Sequence, residues 1–287
     1  MSFNTLKSRV IISFAILNFM STAAAAQQET KTPPQTPSSS TESLLTEKGR
    51  EHWKQQLFEI EKLYPDAKRN WLNDDKTSLL LTFPSTSIGP NYGHLVITVE
   101  RLEQFNLTRD FSREMNKMGW NMYFCFTPPS SLKNSSNGSV EKNPFFTVLE
   151  KAVELIPIKS PSDMFLMSID HSTLNFFGAS TENTQNTTSL ANLTPKIAGF
   201  ILLIDNLSPD SYLQLTRSDK MLISKNSRLI ISNNMYDQLH SQLRRTSTHN
   251  NVHFDRFSDS FYSLNNSSFT SQKLHGWMKN IVKNKSE

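Results

Sequence analysis

The chain has 287 residues, and its 30 Lys and Arg residues exceed its 26 Asp and Glu residues, which gives a formal net charge of +4. The basic residues do not form a dense stripe with interleaved aromatic residues, so the composition gives little support for nucleic-acid binding, and we expect no such partner. Cys125 is the only cysteine, so an intrachain disulfide is excluded and stability has to come from a hydrophobic core. We expect Cys125 to be a buried thiol rather than part of an intermolecular disulfide.

The first 26 residues have the features of a secretory signal peptide. Lys7 and Arg9 form a basic segment, residues 10–20 are apolar, and the alanines at 23–26 offer a cleavage site. The apolar run is about half of the roughly 18 residues that a membrane-spanning helix needs. No later segment is long and apolar enough to span, so we expect an exported protein, periplasmic or secreted, with no transmembrane segment in the mature chain. An uncleaved anchor is the alternative.

A polar segment follows the signal peptide. Residues 27–41 are rich in Pro, Ser and Thr and cannot bury enough apolar surface to offset the entropy lost on ordering. We therefore predict a disordered linker over 27–45 and a single domain over 46–287. The domain opens with an amphipathic helix over 47–64, which Pro65 ends, because apolar residues recur there at helical spacing: Trp53, Leu57, Ile60 and Tyr64.

Beyond this helix, short apolar runs alternate with helical patterns. The alternation predicts an α/β fold with a mostly parallel sheet and helices on both faces. The predicted strands are 79–83, 95–99, 122–126, 174–177, 200–204, 228–231 and 252–257. The predicted helices are 108–118, 145–155, 235–246 and about 269–282. Asn106 or Thr108 can cap the first of these helices, and Gly119 fits its C-terminal stop.

The sequence does not decide the secondary structure of two segments. Residues 164–170, MFLMSID, are equally compatible with a buried strand and with a turn of apolar helix, because periodicity cannot distinguish short apolar runs. Residues 181–195 stand where a helix is expected, but they are rich in Asn and Thr, which are poor helix formers.

Three stretches carry a resemblance to a known family through their order and spacing. They are WLNDDKTSLLLTFPSTSIGPNYGHLVITV with LTRDFSREMNKMGWNMYFCFTPP, TLNFFGAST with IAGFILLIDNLSP, and RLIISNNMYDQLHSQLRR with LHGWMKNIV. Together they cover most of residues 50–283 and resemble domain-of-unknown-function family 3530, exported bacterial proteins distantly related to α/β-hydrolases. The resemblance implies an α/β-hydrolase-like sheet. It also implies that a nucleophile, if present, lies on a strand-to-helix turn, with an acid and then a histidine later in the chain.

Ser180 is the candidate for the nucleophile position. The run 174–177 leads to Gly178, which suits a tight turn, and Ser180 stands where a G-x-S-x-G elbow has its nucleophile. Glu182 replaces the second glycine and adds bulk and negative charge near a group that must become an alkoxide. A second candidate elbow, DHSTL, surrounds Ser172 and lacks both glycines. We favour Ser180 over Ser172, and an ordinary turn serine over both.

The sequence offers neither a good acid nor a good base for a triad. After the strand 228–231 come Asn233, Asn234 and, slightly late, Asp237, and an asparagine cannot stabilise an imidazolium as a carboxylate can. The base is expected in the loop after the strand 252–257, where SDSFYS contains no histidine. Two histidines lie in neighbouring elements, one within a strand and one within the terminal helix, and we expect neither to reach the elbow: His253 and His275.

The primary hypothesis is therefore an exported α/β-hydrolase-like protein with an incomplete catalytic triad, acting as a non-enzymatic binding or envelope-associated protein. The alternative is a serine hydrolase, an esterase or acyl hydrolase, that uses Ser180, and a purely structural envelope protein is a third possibility. The crevice at the strand ends suits a small apolar or acyl ligand. We expect no cofactor and no metal, because the glycines are scattered and the pair His249 and His253 has no carboxylate partner nearby.

Overall fold

The computed structural model describes residues 39–129, 144–160, 163–178, 184–218, 220–223, 226–246, 252–257 and 268–284. In chain order, the helices are α1 (Ser39–Leu63), α2 (Leu102–Lys117), α3 (Pro144–Glu154), α4 (Thr184–Leu193), α5 (Pro209–Arg217), α6 (Asn233–Thr246) and α7 (Ser268–Lys283). The strands are β1 (Lys68–Trp71), β2 (Leu79–Phe83), β3 (Gly93–Val99), β4 (Trp120–Phe126), β5 (Met164–Ile169), β6 (Phe177–Gly178), β7 (Gly199–Ile204), β8 (Lys220–Met221), β9 (Ser227–Ser232) and β10 (Val252–Phe257).

Eight strands form one sheet in the order β1-β2-β4-β3-β5-β7-β9-β10. The pairs β1 with β2 and β2 with β4 are antiparallel, whereas the other neighbouring pairs are parallel. The short strands β6 and β8 pair with each other outside this sheet. The prediction of a mostly parallel sheet is thus confirmed, and six of the seven predicted strands occur in it within two residues at each end.

Helices pack on both faces of the sheet, as predicted. One hydrophobic core takes Trp53, Phe111 and Leu274 from α1, α2 and α7, and the other takes Phe146 and Leu239 from α3 and α6. Because both faces are covered, every residue of β3, β5 and β7 is buried. Strands of this kind have continuous apolar runs instead of alternating polar and apolar residues, which is why the sequence predicted β3 and β7 but left β5 open between a strand and a turn of helix.

The start of α2 differs from the prediction. The helix begins at Leu102, so Asn106 and Thr108 lie within it and neither is the cap. Arg101 occupies the N-cap position, and the side-chain oxygen of Gln104 accepts a hydrogen bond from its backbone N–H at 3.2 Å. A glutamine that reaches back to the N-cap backbone is one half of a capping box.

The end of α2 and the other helices agree with the sequence. Gly119 follows α2 with a φ of +100°, and a Cβ atom there would lie 2.4 Å from the carbonyl oxygen of Pro90. Only glycine fits such a position without displacing the chain, so the predicted stop is confirmed. The helices predicted at 145–155, 235–246 and 269–282 occur within two residues of those bounds.

The predicted strand 174–177 is wrong. Residues Asp170–Phe176 form a 3-10 helix, and the strand that follows, β6, lies outside the central sheet. Leu174 and Phe176 are buried in the same core as α3, so their apolar character comes from packing within a helical turn. The ambiguous segment just before them is the sheet strand β5, which pairs with β3 and β7.

Three smaller points separate the structure from the sequence analysis: where α1 begins, whether residues 181–195 contain a helix, and an edge strand that was not predicted. Helix α1 begins at Ser39, so residues 39–45 are helical although the sequence predicts a linker there. The Asn- and Thr-rich segment does contain a helix, α4, and its buried residues Leu190 and Leu193 explain how poor helix formers are held in that conformation. The edge strand β1 was not predicted, because it has only four residues and each is exposed or half-buried.

Among the described helices, none has both the length and the apolar character that a membrane span requires.

Candidate functional site

The carboxyl ends of the parallel strands bring charged side chains to one edge of the sheet. Glu100 follows β3, Asp170 follows β5, and Asp205 follows β7. These three strands are neighbours in the sheet, so the three carboxylates come from adjacent positions along that edge. In open α/β sheets, ligands bind in the crevice outside this edge.

The sharp turn after β5 is made by Asp170. Its φ is +47°, in the left-handed region that few residues other than glycine, asparagine and aspartate adopt. In an α/β-hydrolase the nucleophile occupies a strained turn between a sheet strand and a helix, and Asp170 lies at the corresponding point of this chain. The serine of the DHSTL motif is two residues further on. Ser172 is fully buried, and its hydroxyl donates a hydrogen bond to the carbonyl of Ile169 at 3.2 Å.

The carboxylate of Asp170 is held by the backbone of the neighbouring strand end. One oxygen accepts hydrogen bonds from the backbone N–H groups of Asp205 at 2.7 Å and of Asn206 at 3.0 Å. Burial raises the pKa of Asp170 to about 6, and nearby Asp205 adds to the rise. The two hydrogen bonds and the charge of Arg101 offset part of that rise. Asp170 therefore ties the ends of β5 and β7 together, and its acidity is weaker than that of an exposed aspartate.

Glu100 and His171 form a second pair at the same edge. His171 Nδ1 lies 3.4 Å from Glu100 Oε2, and the side chain of Glu100 is 3% exposed whereas that of His171 is 34% exposed. The other carboxylate oxygen of Glu100 is buried and has no hydrogen-bond partner among the described residues. Gln104 accepts from the backbone N–H of Glu100 and donates to the carbonyl of Ile169, so it links the ends of β3 and β5.

The position expected for the triad acid is occupied by a different network. Asn233 follows β9, and its side-chain oxygen accepts a hydrogen bond from the guanidinium of Arg256 on β10. Asp237 lies 3.4 Å from the same guanidinium and is exposed. Ser232 donates to the carbonyl of Asp205 at 3.1 Å, which ties the end of β9 to the end of β7. Among the described residues, the partners of these groups are an arginine and a backbone carbonyl, and none is an imidazole.

The two histidines that the sequence offers as candidate bases lie at the edge of the sheet opposite the turn after β5, and their position relative to Ser180 stays a prediction because Ser180 lies outside the described residues. His253 pairs in register with Arg228 near the amino end of β10, at the edge opposite the crevice. His275 accepts a hydrogen bond from the indole of Trp120, which is the first residue of β4 and belongs to that same opposite edge. The loop 258–263, where the sequence places the base, lies outside the described residues, and so does His249.

Ser180 also lies outside the described residues, together with Glu182, so its role stays a prediction. The structure does change its context. In the chain, Ser180 comes shortly after the two-residue strand β6, which pairs with β8 outside the central sheet, whereas the sheet strand with an elbow-like turn ends at Ile169. Within the described part of the chain, no group of three or more His, Cys, Asp or Glu side chains is arranged to hold a metal ion.

Glu100, Asp170 and Asp205 were not singled out from the sequence, although a pattern in the sequence points to them. Glu100, Asp170 and Asp205 are each the first charged residue after a buried apolar run of the sheet. Because parallel strands end at one edge, such residues come together in space. The three residues are tens of positions apart in the chain, so no short sequence motif contains two of them and a search for motifs does not find the group.

Comparison with known proteins gives the same fold. No protein-family model matches the chain, and no curated protein matches it. Among solved structures, the chain is similar to an arylesterase, with a TM-score of 0.50, 9% identity, and coverage of 75% of this chain and 85% of the other. It is similar to the Francisella virulence factor BioJ, with a TM-score of 0.51, 11% identity, and coverage of 84% and 99%. At such low identity these similarities establish the fold alone, and the chain has an α/β-hydrolase-like fold.

Proposed function

We propose that this protein is an exported, non-enzymatic binding protein of the cell envelope that has the fold of an α/β-hydrolase without its serine triad. The observation that carries the proposal is the turn after β5. It presents the carboxylate of Asp170, which two backbone N–H groups hold, while the hydroxyl of Ser172 is buried against the carbonyl of Ile169.

A serine hydrolase needs a hydroxyl that faces the crevice and an imidazole that removes its proton. In the described part of the chain Ser172 meets neither requirement, because it is buried and its hydroxyl donates to a backbone carbonyl and not to an imidazole. His171 is paired with Glu100 at the crevice edge, which suits contact with the polar end of a ligand. The engagement of Asn233 with Arg256 further supports a site without a triad acid.

The proposed ligand of the crevice is a small apolar or acyl molecule. The buried apolar strands β3 and β5 end next to the charged residues Glu100 and Asp170, and ligand pockets are commonly apolar with a few polar groups that orient the ligand. Glu100 and His171 would contact the polar end of such a molecule.

Export and family membership belong to the same proposal. The basic residues Lys7 and Arg9, the apolar run 10–20 and the alanines 23–26 support cleavage and export to the periplasm or the medium. The order of the three quoted stretches supports membership in domain-of-unknown-function family 3530. Cell fractionation with N-terminal sequencing tests export, and a full-length chain retained in the cytoplasm would contradict it.

The experiment for catalysis is labelling with a fluorophosphonate probe, read by intact mass. We expect no adduct on the purified protein under conditions that fully label a known esterase in a parallel sample. An adduct that is lost in Ser180→Ala and kept in Ser172→Ala would overturn the proposal in favour of a serine hydrolase. An adduct lost only in Ser172→Ala would overturn it as well, and would show that the buried hydroxyl becomes accessible.

A further inference from the structure

A cleft on one face of the sheet is lined by aromatic rings. It lies between the end of α1, helix α2 and strands β2 and β4, and its volume is about 110 Å³. We call it the aromatic cleft and define it by these lining residues: Tyr64, Phe83, Phe105, Arg109, Ser112, Arg113, Asn116, Met122 and Phe124. None of them belongs to the charged edge that follows β3, β5 and β7.

The four rings of the aromatic cleft contact one another in a closed cycle. Tyr64 meets Phe83 at 5.7 Å and Phe105 at 5.5 Å, between ring centroids. Phe124 meets Phe83 at 5.8 Å and Phe105 at 4.8 Å. All four contacts are edge-to-face, an arrangement that aromatic pairs favour, so the rings form one continuous aromatic wall.

The side chains of Ser112 and Asn116, which line the cleft, already have hydrogen-bond partners within the protein. The hydroxyl of Ser112 donates to the carbonyl of Thr108 at 2.6 Å. The amide of Asn116 donates to the carbonyl of Pro84 at 2.7 Å and accepts from the backbone N–H of Thr86 at 3.1 Å. Neither group is left to select a ligand, and the charged groups of the cleft are its two arginines, Arg109 and Arg113.

Arg109 and Arg113 are one turn apart on α2 and place two positive charges at the cleft. Their side chains are 44% and 62% exposed. Both lie near the same carboxylate, Asp110, at 3.7 Å and 3.2 Å, and that side chain is itself 38% exposed. Exposed pairs of this kind are weak because water screens them, so one acid leaves the cleft with an excess of positive charge.

We propose that the aromatic cleft binds a small carboxylate with an aromatic ring or a short alkyl chain. The apolar part lies against the four rings, and the carboxylate contacts the guanidinium groups of Arg109 and Arg113. Aromatic faces alone also attract cations, but two adjacent arginines repel a cationic ligand and attract an anionic one. The cleft volume of about 110 Å³ is below the roughly 150 Å³ of an apolar cavity that holds benzene, but the cleft is open at its mouth, so part of a ligand can extend beyond it toward the arginines.

The test uses the full chain with labelled methionine methyl groups and follows the resonance of Met122, which lines the cleft. Met122→Leu assigns that resonance. We expect benzoate to shift it saturably, with a dissociation constant on the order of 1 mM, and benzyl alcohol to bind at least about 5-fold more weakly because it lacks the charge. Hexanoate extends the test to an alkyl carboxylate.

Matched variants test the role of the arginines. Arg113→Gln removes one positive charge at the cleft, and Lys117→Gln removes one from the next turn of α2, outside the cleft and 67% exposed. We expect Arg113→Gln to weaken benzoate binding about 3-fold, the double variant Arg109→Gln with Arg113→Gln about 10-fold, and Lys117→Gln less than 2-fold. Binding of benzyl alcohol should stay the same in all three variants.

The proposal is overturned if no saturable shift occurs at Met122, if a shift occurs only at other methionines, or if Lys117→Gln weakens benzoate as much as Arg113→Gln does. These surface variants leave the core intact, and a thermal melt of each confirms folding. The result is independent of fluorophosphonate labelling, so failure of this site and failure of the proposed function are distinguishable.

Discussion

Replacing Asp170 by asparagine should make the protein more stable at neutral pH. Asparagine keeps the shape of the side chain, its oxygen can still accept from the backbone N–H groups of Asp205 and Asn206, and it tolerates the φ of +47°. What the change removes is a carboxylate whose negative charge is poorly solvated. The variant therefore isolates the free energy of ionising this group in the folded state.

The magnitude follows from the pKa of Asp170, which burial raises from 3.8 to about 6. A group whose pKa is higher in the folded than in the unfolded chain binds its proton more tightly when folded. Its stabilising contribution is complete below about pH 4 and is lost as the pH rises to about 6. A shift of roughly two units corresponds to about 3 kcal/mol, so we expect Asp170→Asn to match the wild type at pH 3.5 and to exceed it by up to about 3 kcal/mol at pH 7.5.

The assay is urea denaturation of both proteins between pH 3.5 and 8, with the free energy of unfolding compared at each pH. In thermal melts the same difference should appear as roughly 6–12 °C at pH 7.5. Asp237→Asn is the control, because that side chain is 77% exposed and its loss should change stability by no more than about 1 kcal/mol. The reasoning is refuted if Asp170→Asn is less stable than the wild type at pH 7.5, or if the difference between them does not change with pH.

Three other predictions concern buried positions. Ser172→Ala should lower the free energy of unfolding by about 1 kcal/mol, because one buried hydroxyl loses its bond to a backbone carbonyl, and a loss above about 3 kcal/mol in urea denaturation would contradict that role. Gly119→Ala should cost at least about 2 kcal/mol, since its Cβ would lie 2.4 Å from a carbonyl oxygen at a φ of +100°, and an unchanged melting temperature would disprove this. Burial raises the pKa of Cys125 to about 12, so iodoacetamide should modify it in urea but not in the folded protein at pH 8, and equal rates by mass spectrometry would show that the thiol is accessible.

The sequence by itself predicted the positions of most strands and helices. The strands β3, β7 and β9 are buried along nearly their whole length, so each is a continuous apolar run that stands out from its surroundings. The helices α3 and α6 have the helical period and lie between such runs. Gly119 marked a stop because a backbone position with positive φ strongly favours glycine. Local chemistry was sufficient in these cases, because each signal lies within a few residues of the element that it marks.

Only the tertiary structure decided which apolar run carries the elbow. The runs 164–169 and 174–177 are both short and apolar, and periodicity does not distinguish a strand from a 3-10 turn at that length. Pairing with β3 and β7 made the first a strand, and packing of Leu174 and Phe176 in the core beneath α3 made the second a helical turn. That outcome placed Asp170 at the turn after the sheet strand, with Ser172 buried two residues further on.

The tertiary structure also decided which charged side chains meet at the carboxyl ends of β3, β5 and β7. Glu100 and His171 are far apart in the chain, and so are Asp170 and Asp205, yet the strand order brings each pair into contact. Strand order depends on how the whole chain packs, and no stretch of the sequence encodes it locally. The amino-acid sequence therefore determined the elements and the layered architecture of this protein, and the pairing of distant strands decided which side chains meet at its candidate site.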